Sequence, residues 1–382
     1  MKNTLKILSK KIKNKKVLIV GAGPVGCTVA NILSNKNFNI NIIDSRNHIG
    51  GNCYDYKDKY GLLVHKYGPH YFRSNKKKII DYLGKFTKWI PGNYIVNSFI
   101  DKKFYDFPIN LNTINKFFNK KFTPSEAKKY LKKISLEKKK FKNKNNFETY
   151  LLSKVGKNLY EKFYKNYTIK QWNTNPTLLS ENIAKRIPLK FNYDNEYITS
   201  KYKLMPKFGF TKMFEKMISN KNIKLSLKKK FIFSNQHLNE FDIIVYTGPI
   251  DSFFNFKHGK LGWRSLKFVF KSYKRKYKQH CLQINYPNDF KFTRSVEYKY
   301  VTNQKSNFTS LSYEYPKSKG DPYYPISTQH DKKILKLYNI EKKNLEKQGI
   351  FFAGRLAEYK YINTDEAVGI GLSLSKKILK KN

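Results

Sequence analysis

Short hydrophobic runs divide the chain into elements of different kinds. Residues 17–20 (VLIV) and 241–249 (FDIIVYTGP) are continuous apolar runs, typical of buried strands in a parallel sheet. After about residue 186, alternating runs such as KYKLM and SLKFVF predict antiparallel strands. Residues 125–170 follow helical spacing, and residues 206–218 predict a helix entered through a glycine turn. No run reaches the ~18 apolar residues that a membrane span requires.

A glycine motif follows the first buried run directly, and a helical stretch and a second apolar run ending at Asp44 complete the pattern. In such strand–turn–helix–strand units the glycines allow a tight turn, approach of the backbone to a pyrophosphate and close helix packing, and the acid accepts ribose hydroxyls. The whole context therefore predicts a Rossmann-like dinucleotide site. Its first segment comprises Gly21, Gly23, Pro24, Val25 and Gly26.

Two further segments favour FAD over NAD as the dinucleotide. Beyond Asp44 a second glycine pair lies in the run RNHIGGN, where FAD proteins of the glutathione-reductase and amine-oxidase type bring backbone close to the cofactor. Near the C-terminus a strand, IFFA, runs into Gly354 and Arg355 and then a helix rich in small residues, as in the last segment of such flavoproteins.

The charge of the chain limits the possible partners. There are 77 Lys and Arg against 27 Asp and Glu, a formal charge of +50, yet only seven of the basic residues are arginine. Lysine spread over the whole length indicates a compositional bias rather than a nucleic-acid-binding surface, so we expect an anionic small molecule and at most weak attraction to a membrane surface. Each arginine is then a candidate for phosphate binding: Arg46, Arg73, Arg186, Arg264, Arg275, Arg294 and Arg355.

The cysteines indicate neither a metal site nor a disulfide framework. Cys27, Cys53 and Cys281 are far apart and none belongs to a CxxC pair. We expect no metal, and a reducing cytoplasm is the natural compartment.

A series of motifs makes the assignment more specific. RNHIGGN, HKYGPH, KQW, KRIP, YTGPID, RSLKF, EYP, PYYP and GRLAEYKY occur in the order found in bacterial UDP-galactopyranose mutases, which the chain resembles over roughly residues 15–380. The resemblance implies interconversion of UDP-galactopyranose and UDP-galactofuranose for cell-surface glycan synthesis. It also implies an FAD that is active when fully reduced and attacks the anomeric carbon through N5 while UDP leaves.

The resemblance also assigns roles to individual residues. It implies that Arg186 and Arg294 bind the diphosphate, one of them on a mobile loop, and that His70 lies by the flavin ring. The residues implied to bind substrate are Phe163 and Tyr167 at uracil, Trp172 at the sugar, Tyr197, Tyr324 and Tyr361 at the diphosphate, and Asn97 and Asn285 at polar groups. Those expected to bind the cofactor are Gly21, Gly23, Pro24, Val25, Gly26, Asp44, Arg46, Gly50, Gly51, Asn52, His70, Gly354, Arg355, Asn363 and Thr364.

The chain departs from the family pattern near the active site. Arg73 stands where the family has a second histidine, Asn363 where it has an acidic residue, and Ile362 where it has a tyrosine. We favour a divergent UDP-galactopyranose mutase. The alternatives are a related mutase for another nucleotide sugar (a deoxy, N-acetylated or acidic hexose), an amine-oxidase-like flavin oxidoreductase, and a basic binding protein with an inactive flavin fold.

The expected architecture is an α/β fold with an inserted helical subdomain and an antiparallel sheet layer. We expect UDP-sugar as substrate, NAD(P)H as the cellular reductant and a homodimer. The predicted divisions are a basic tail at 1–14, a discontinuous FAD-binding domain at 15–85, 206–260 and 345–382, a helical subdomain at 109–185, and a sheet and substrate domain at 86–108, 186–205 and 261–344.

Overall fold

The computed structural model describes residues 15–136 and 145–381. The strands are β1 (Lys16–Val20), β2 (Asn39–Ile43), β3 (Asp55–Lys57), β4 (Leu63–His65), β5 (Phe72–Ser74), β6 (Trp89–Pro91), β7 (Val96–Ile100), β8 (Lys103–Phe107), β9 (Tyr202–Pro206), β10 (Ile223–Ser226), β11 (Ile243–Tyr246), β12 (Trp263–Tyr273), β13 (Gln283–Asn285), β14 (Arg294–Glu297), β15 (Thr309–Lys317), β16 (Tyr324–Pro325) and β17 (Ile350–Phe352). The predicted basic tail at 1–14 lies outside the described residues.

Helices of very different length connect these strands. The α-helices are α1 (Pro24–Ser34), α2 (Lys77–Gly84), α3 (Leu111–Phe118), α4 (Pro124–Ile134), α5 (Phe147–Leu159), α6 (Asn166–Trp172), α7 (Glu181–Ala184), α8 (Phe210–Met217), α9 (Gln236–Glu240), α10 (Ile250–Phe253), α11 (Lys299–Thr302), α12 (Gln329–Lys347) and α13 (Thr364–Lys381). A π-helical segment (Tyr160–Lys165) joins α5 to α6, and the 3₁₀ turns are Gly51–Cys53 and Pro176–Leu178. None of the described helices is long and apolar enough to cross a membrane.

A five-stranded parallel sheet forms the centre of the nucleotide-binding part. Its order is β10-β2-β1-β11-β17, so the predicted Rossmann-like sheet and the return of the 241–249 run to it are confirmed. β1 is central because the VLIV run is buried on both faces. Val17 and Ile19 pack with the core that contains Leu33. Leu18 and Val20 belong to the core on the other face.

Helices cover both faces of this sheet. On one face α13 approaches α1 so closely that a Cβ at Gly371 would lie 2.7 Å from Cβ of Thr28. On the other face α12 places Ile334 and Tyr338 in the core that also contains Ile350. Most of α12 falls within the predicted sheet and substrate domain, 261–344, but it packs against the parallel sheet.

The second sheet has seven strands in the order β16-β12-β15-β14-β13-β7-β8. Its longest pair, β12 with β15, is antiparallel as the alternating runs predict. The predicted antiparallel layer is present, with one parallel pair in it, because β13 runs parallel to β7 with Gln283 opposite Val96. A small sheet of β5, β9 and β6 lies beside it and contains the KYKLM run as β9.

The helical layer, from α3 to α7, packs against β7 and β8. Its core places Val96 and Phe107 of the strands with Leu131 and Leu159 of the helices. The break in helical geometry at Gly156 has φ of +76°, and a Cβ there would lie 2.9 Å from the carbonyl oxygen of Ile134. Close backbone contact therefore joins α5 to α4, while the shared apolar core holds the helical layer on the sheet. The predicted domain boundaries remain predictions.

Candidate active site

The turn between β1 and α1 is built for close backbone contact. A Cβ at Gly26 would lie 1.9 Å from the carbonyl oxygen of Gly21, so α1 packs directly on the turn. Gly21 has φ of +109°, a conformation that side chains disfavour. Gly23 occupies the N-cap of α1, and no side chain in the described part of the chain caps the helix. Its dipole and first-turn amides are thus available to an anion.

Asp44 closes the end of β2 beside this turn. Its two carboxylate oxygens accept hydrogen bonds at 2.8 Å from the backbone N–H groups of Ala22 and Arg46. Each oxygen keeps a second lone pair for a ribose hydroxyl. Asp44 is therefore fixed in the position that the dinucleotide motif requires.

A cavity of about 590 Å³ extends from this turn along the carboxyl ends of the parallel strands. A Cβ at Gly51 would lie 3.1 Å from Cα of Gly23, so two glycine backbones meet at its wall without side chains. This cradle fits a dinucleotide such as FAD. The predicted cofactor residues on its wall are Gly21, Gly23, Pro24, Val25, Asp44, Arg46, Gly51, Asn52, His70, Gly354, Arg355, Asn363 and Thr364.

Two predicted cofactor residues lie behind the wall rather than on it. Gly26 packs against the turn as described, and Gly50 donates its backbone N–H to the carbonyl of Ala22 at 2.8 Å. Sequence reasoning missed the segment Lys228–Lys229–Lys230, which lines the cavity. The backbone N–H of Lys229 donates to the carbonyl of Asp44. Only the pairing of β10 with β2, which the sequence does not reveal, brings these lysines there.

Four of the seven arginines surround Tyr361 at one end of this cavity. The guanidinium carbon of Arg186 lies 3.7 Å from the centre of the Tyr361 ring, and that of Arg355 lies 4.8 Å from it. Burial acts to raise the pKa of Tyr361, but Arg355, Arg186, Arg73 and Arg294 together lower that pKa below its ordinary value. The region is strongly electropositive and suits a diphosphate.

Arg294 is held by a buried carboxylate. Its Nε and Nη2 atoms lie 2.8 and 2.7 Å from the same oxygen of Glu314, and Nη2 lies 3.5 Å from the hydroxyl of Tyr324. Tyr324 in turn stacks on Tyr361, with ring centres 5.8 Å apart, and lies 6.1 Å from the ring of Trp172. Glu314, which sequence reasoning did not single out except within the EYP motif, orients this arginine.

Three more of the residues predicted to bind substrate lie near Arg294. Tyr167 and Tyr197 have pKa values raised by burial and lowered in part by Arg294, so both lie within its field. Asn285 is opposite Arg294 in the β13–β14 ladder and accepts a hydrogen bond from Gln283. The structure brings these residues together around the arginine cluster.

Two predicted substrate residues are not brought to the cluster. Asn97 bonds His280 at 2.7 Å and Asp106 at 3.2 Å. In the β7–β13 ladder Asn97 is opposite Ile284, so these two side chains lie on the same face of the sheet. Successive residues of a strand point to opposite faces, so Asn97 lies on the face away from Asn285 and the arginine cluster. Phe163 is 2% exposed and packs against Tyr105 in the helical core. The assignment of Asn97 to the sugar site is therefore corrected.

The two departures from the family pattern contact each other. Nη2 of Arg73 lies 3.4 Å from Oδ1 of Asn363. An amide here leaves the charge of Arg73 without the neutralisation that a carboxylate would give. The backbone N–H of Asn363 is held by Glu366 at 2.7 Å, which fixes the loop that carries it.

Comparison with known proteins agrees with this geometry. A family model for UDP-galactopyranose mutase matches residues 162–361, and one for an NAD(P)-binding Rossmann-like domain matches residues 19–86. A probable UDP-galactopyranose mutase of Klebsiella pneumoniae is 35% identical over 96% of both chains. A dTDP-fucopyranose mutase of Escherichia coli is 34% identical over 96% of this chain and 99% of its own.

A solved structure gives the same fold. The crystal structure of a reduced UDP-galactopyranose mutase superposes with a TM-score of 0.75 at 16% identity, covering 96% of both chains.

Proposed function

The chain belongs to the UDP-galactopyranose mutase family, and we propose that it interconverts UDP-galactopyranose and UDP-galactofuranose. The observation that carries this proposal is the convergence of four arginines on Tyr361 beside a dinucleotide cavity. An enzyme that releases and recaptures a nucleoside diphosphate next to a cofactor needs positive charge at that point.

FAD is the cofactor that the cavity would hold. The N-terminus of α1 would receive the pyrophosphate and Asp44 the ribose, while His70, Arg355, Asn363 and Thr364 line the wall toward the arginine cluster. Bound and fully reduced, FAD would supply the nucleophilic N5 for the anomeric carbon, whereas the oxidised form would not.

The arginines of the chain would stabilise the departing UDP. Negative charge grows on the terminal phosphate as the bond to the sugar weakens, and a guanidinium placed beforehand stabilises that charge without reorganising. Glu314 holds Arg294 in place for this purpose. Arg186 is exposed on the irregular segment between α7 and β9, so it can adjust to the incoming substrate.

Aromatic side chains would position the rest of the substrate. We assign the hydroxyls of Tyr197, Tyr324 and Tyr361 to the diphosphate, Trp172 to the sugar and Tyr167 to uracil. These assignments follow the family resemblance, and the position of the tyrosines near Arg294 and Tyr361 supports them. Asn285 is assigned to a polar group of the substrate, and Phe163 at uracil stays a prediction.

A second candidate is a mutase for another nucleotide sugar. The relative that acts on dTDP-fucopyranose is almost as similar as the UDP-galactopyranose mutase, and the Arg73–Asn363 pair alters the wall near the cluster. An amine-oxidase-like activity has less support, because oxidation of an amine gives no use for four converging arginines.

The decisive experiment uses purified FAD-loaded protein under anaerobic conditions. We would reduce it with dithionite, add UDP-galactofuranose and measure UDP-galactopyranose by chromatography. Conversion that is absent with oxidised flavin supports the proposal. A yellow protein that converts dTDP-fucofuranose but not UDP-galactofuranose would favour the second candidate, and substrate-dependent oxygen consumption would favour an oxidase.

We propose in addition a homodimer that acts in the cytoplasm and receives electrons from NAD(P)H. The three cysteines are buried and unpaired, which suits a reducing compartment. Light scattering on the eluted protein tests the dimer. The rate of anaerobic flavin bleaching by NADPH and NADH tests the reductant.

A further inference from the structure

One lysine joins the helical layer to the loop between β13 and β14. The Nζ atom of Lys170, on α6, donates to three backbone carbonyls of this loop. They belong to Tyr286, Asp289 and Phe290, the last two at 2.9 and 3.2 Å. Burial lowers the pKa of Lys170 to about 8 and Asp289 opposes the shift, so the nitrogen is an ammonium with three donors at pH 7. Carbonyl oxygens that point at one spot repel each other, so the loop needs a cation there to keep this conformation.

A side chain of the loop makes a second contact with the helical layer. Nδ2 of Asn288 donates to the carbonyl of Lys162 at 3.0 Å, and its Oδ1 accepts from Nδ2 of Asn166 at 3.0 Å. α6 also has an anchor that is independent of the loop, because Nε of Arg264, on β12, donates to the carbonyl of Gln171 at 2.9 Å. Loss of the lysine would therefore loosen the loop without detaching the helix.

The two elements joined in this way carry different parts of the proposed substrate site. α6 carries Tyr167, assigned to uracil, and Trp172, assigned to the sugar. The loop runs from Asn285 to Arg294, the arginine that Glu314 orients. A nucleoside diphosphate must therefore fit the distance between an aromatic side chain on one element and an arginine on the other. When that distance is fixed in advance, the ligand binds at both ends without the entropy cost of aligning the two elements.

We propose that Lys170 is a positioning residue that sets the spacing between Tyr167 and Arg294, and so makes the site prefer an intact nucleoside diphosphate over a diphosphate alone. In this role the ammonium acts through the loop carbonyls and does not contact the substrate. The inference rests on the proposed function and deepens it, because it assigns recognition of the nucleotide to the contact between two elements.

The test measures binding of UDP and of inorganic pyrophosphate to the FAD-loaded full-length protein by calorimetry at pH 7. We expect Lys170→Met to weaken UDP binding about tenfold and pyrophosphate binding less than about twofold, because pyrophosphate needs the arginines but not the spacing. In turnover of UDP-galactofuranose, KM should rise about tenfold with kcat nearly unchanged, since the lost contact acts equally on bound substrate and transition state.

Lys299 supplies the matched control. Its Nζ atom also donates to three backbone carbonyls, those of Lys276, Ser306 and Phe308, and the residue is 3% exposed. All four residues lie away from the wall of the cavity and from the predicted substrate residues. Lys299→Met should lower stability and leave the affinity for UDP unchanged. An equal loss of UDP affinity in Lys299→Met and Lys170→Met would overturn the inference.

Restoring the ammonium gives a further readout. Lys170→Cys should bind UDP as weakly as Lys170→Met. Alkylation with 2-bromoethylamine rebuilds a lysine-like ammonium, with sulfur in place of one methylene, and should restore the affinity. The native thiols of Cys27, Cys53 and Cys281 are buried, so the reagent reaches the introduced thiol first.

The outcomes separate this inference from the proposed function. Wild-type UDP affinity in Lys170→Met, an equal loss for pyrophosphate, or no recovery after alkylation overturns the inference. Should Lys170→Met fail to fold, Asn288→Ala removes the exposed second contact instead, and an unchanged UDP affinity in that variant overturns the inference. A wild-type protein that binds neither UDP nor dTDP rejects the proposed function and the inference together. If it binds dTDP in place of UDP, the second candidate is favoured and the same variants are compared with dTDP. Binding and turnover that are the same in every variant reject the inference alone.

Discussion

Arg186 differs from the other arginines of the cleft because it is exposed, although its guanidinium lies against the Tyr361 ring. We expect Arg186→Lys to lower kcat/KM about 100-fold, roughly 2.7 kcal/mol, with most of the loss in kcat. Lysine keeps the charge but lacks the planar fork that binds phosphate in two places. Steady-state kinetics with reduced enzyme measures the effect. Arg275→Lys, at an exposed position beyond β12, should behave as wild type, and equal kinetics for both variants would contradict the role.

The pairing of Arg73 with Asn363 gives a second prediction for single residues. In Asn363→Asp a carboxylate would face Arg73 and reduce the positive potential at Tyr361, so the pKa of Tyr361 should rise. We expect KM for the UDP-sugar to increase about three- to tenfold, since the diphosphate loses electrostatic attraction. Asn363→Ala controls for loss of the amide contact. A KM for Asn363→Asp at or below that of Asn363→Ala would contradict this account.

The close approach of the Gly51 and Gly23 backbones in the cavity wall can be tested by substitution. Gly51 and Gly61 both have positive φ, +55° and +74°. A Cβ at Gly51 would meet Gly23, whereas one at Gly61 would have no described residue within 4 Å. Both alanine variants should lose about 1 kcal/mol of stability from backbone strain. Only Gly51→Ala should lose FAD affinity, by about tenfold or more, in a titration followed by flavin fluorescence.

The turn between β4 and β5 makes stability depend on pH. Burial lowers the pKa of His65 to about 3, below the value of about 6.5 expected in the unfolded chain. The unfolded state therefore binds more protons between these values, and the free energy of unfolding falls as pH falls through this range. Relative to pH 7.5, His65 alone should cost about 2 kcal/mol at pH 5. Urea unfolding at both pH values should show a smaller loss in His65→Asn than in wild type, and identical losses would contradict the prediction.

Local elements were predictable from the sequence, whereas the faces they present were not. The strand, glycine turn and helix around Gly21 follow from a few adjacent residues, and the structure has them as expected. The resemblance assigned Asn97 to the substrate, but the face of the sheet on which it lies depends on the parallel pairing of β7 with β13, nearly 190 residues away in the chain. Phe163, which the resemblance assigns to uracil, lies in a π-helical segment, where helical periodicity does not indicate which residues face the cleft.

The arginine cluster shows what becomes visible only in the whole molecule. Arg73, Arg186, Arg294 and Arg355 come from four separate segments, and their scarcity marked them as candidates without placing them together. Glu314 and the lysines at 228–230 gave no comparable signal, because a single acid in a strand and a lysine run in a lysine-rich chain are unremarkable.

The excess positive charge should affect the stability of the whole molecule. With a formal charge of +50 the folded state brings like charges together, and salt screens their repulsion. We therefore expect the free energy of unfolding to rise between 20 mM and 300 mM NaCl, by a few kcal/mol at most. Acetylation of surface lysines should remove most of this dependence. A free energy of unfolding that falls as the salt concentration rises would show that ion pairs outweigh the repulsion between like charges.

The order of strands in the parallel sheet has a consequence for synthesis of the protein. β1 and β2 leave the ribosome early, but β17 and the wall formed by Gly354 and Arg355 come about 300 residues later. At about 5–20 residues per second this delay is on the order of 15–60 s. During translation the first strands therefore expose apolar faces and cannot be stabilised by the cofactor. FAD capture should therefore follow the synthesis of Gly354 and Arg355 rather than accompany that of β1 and β2.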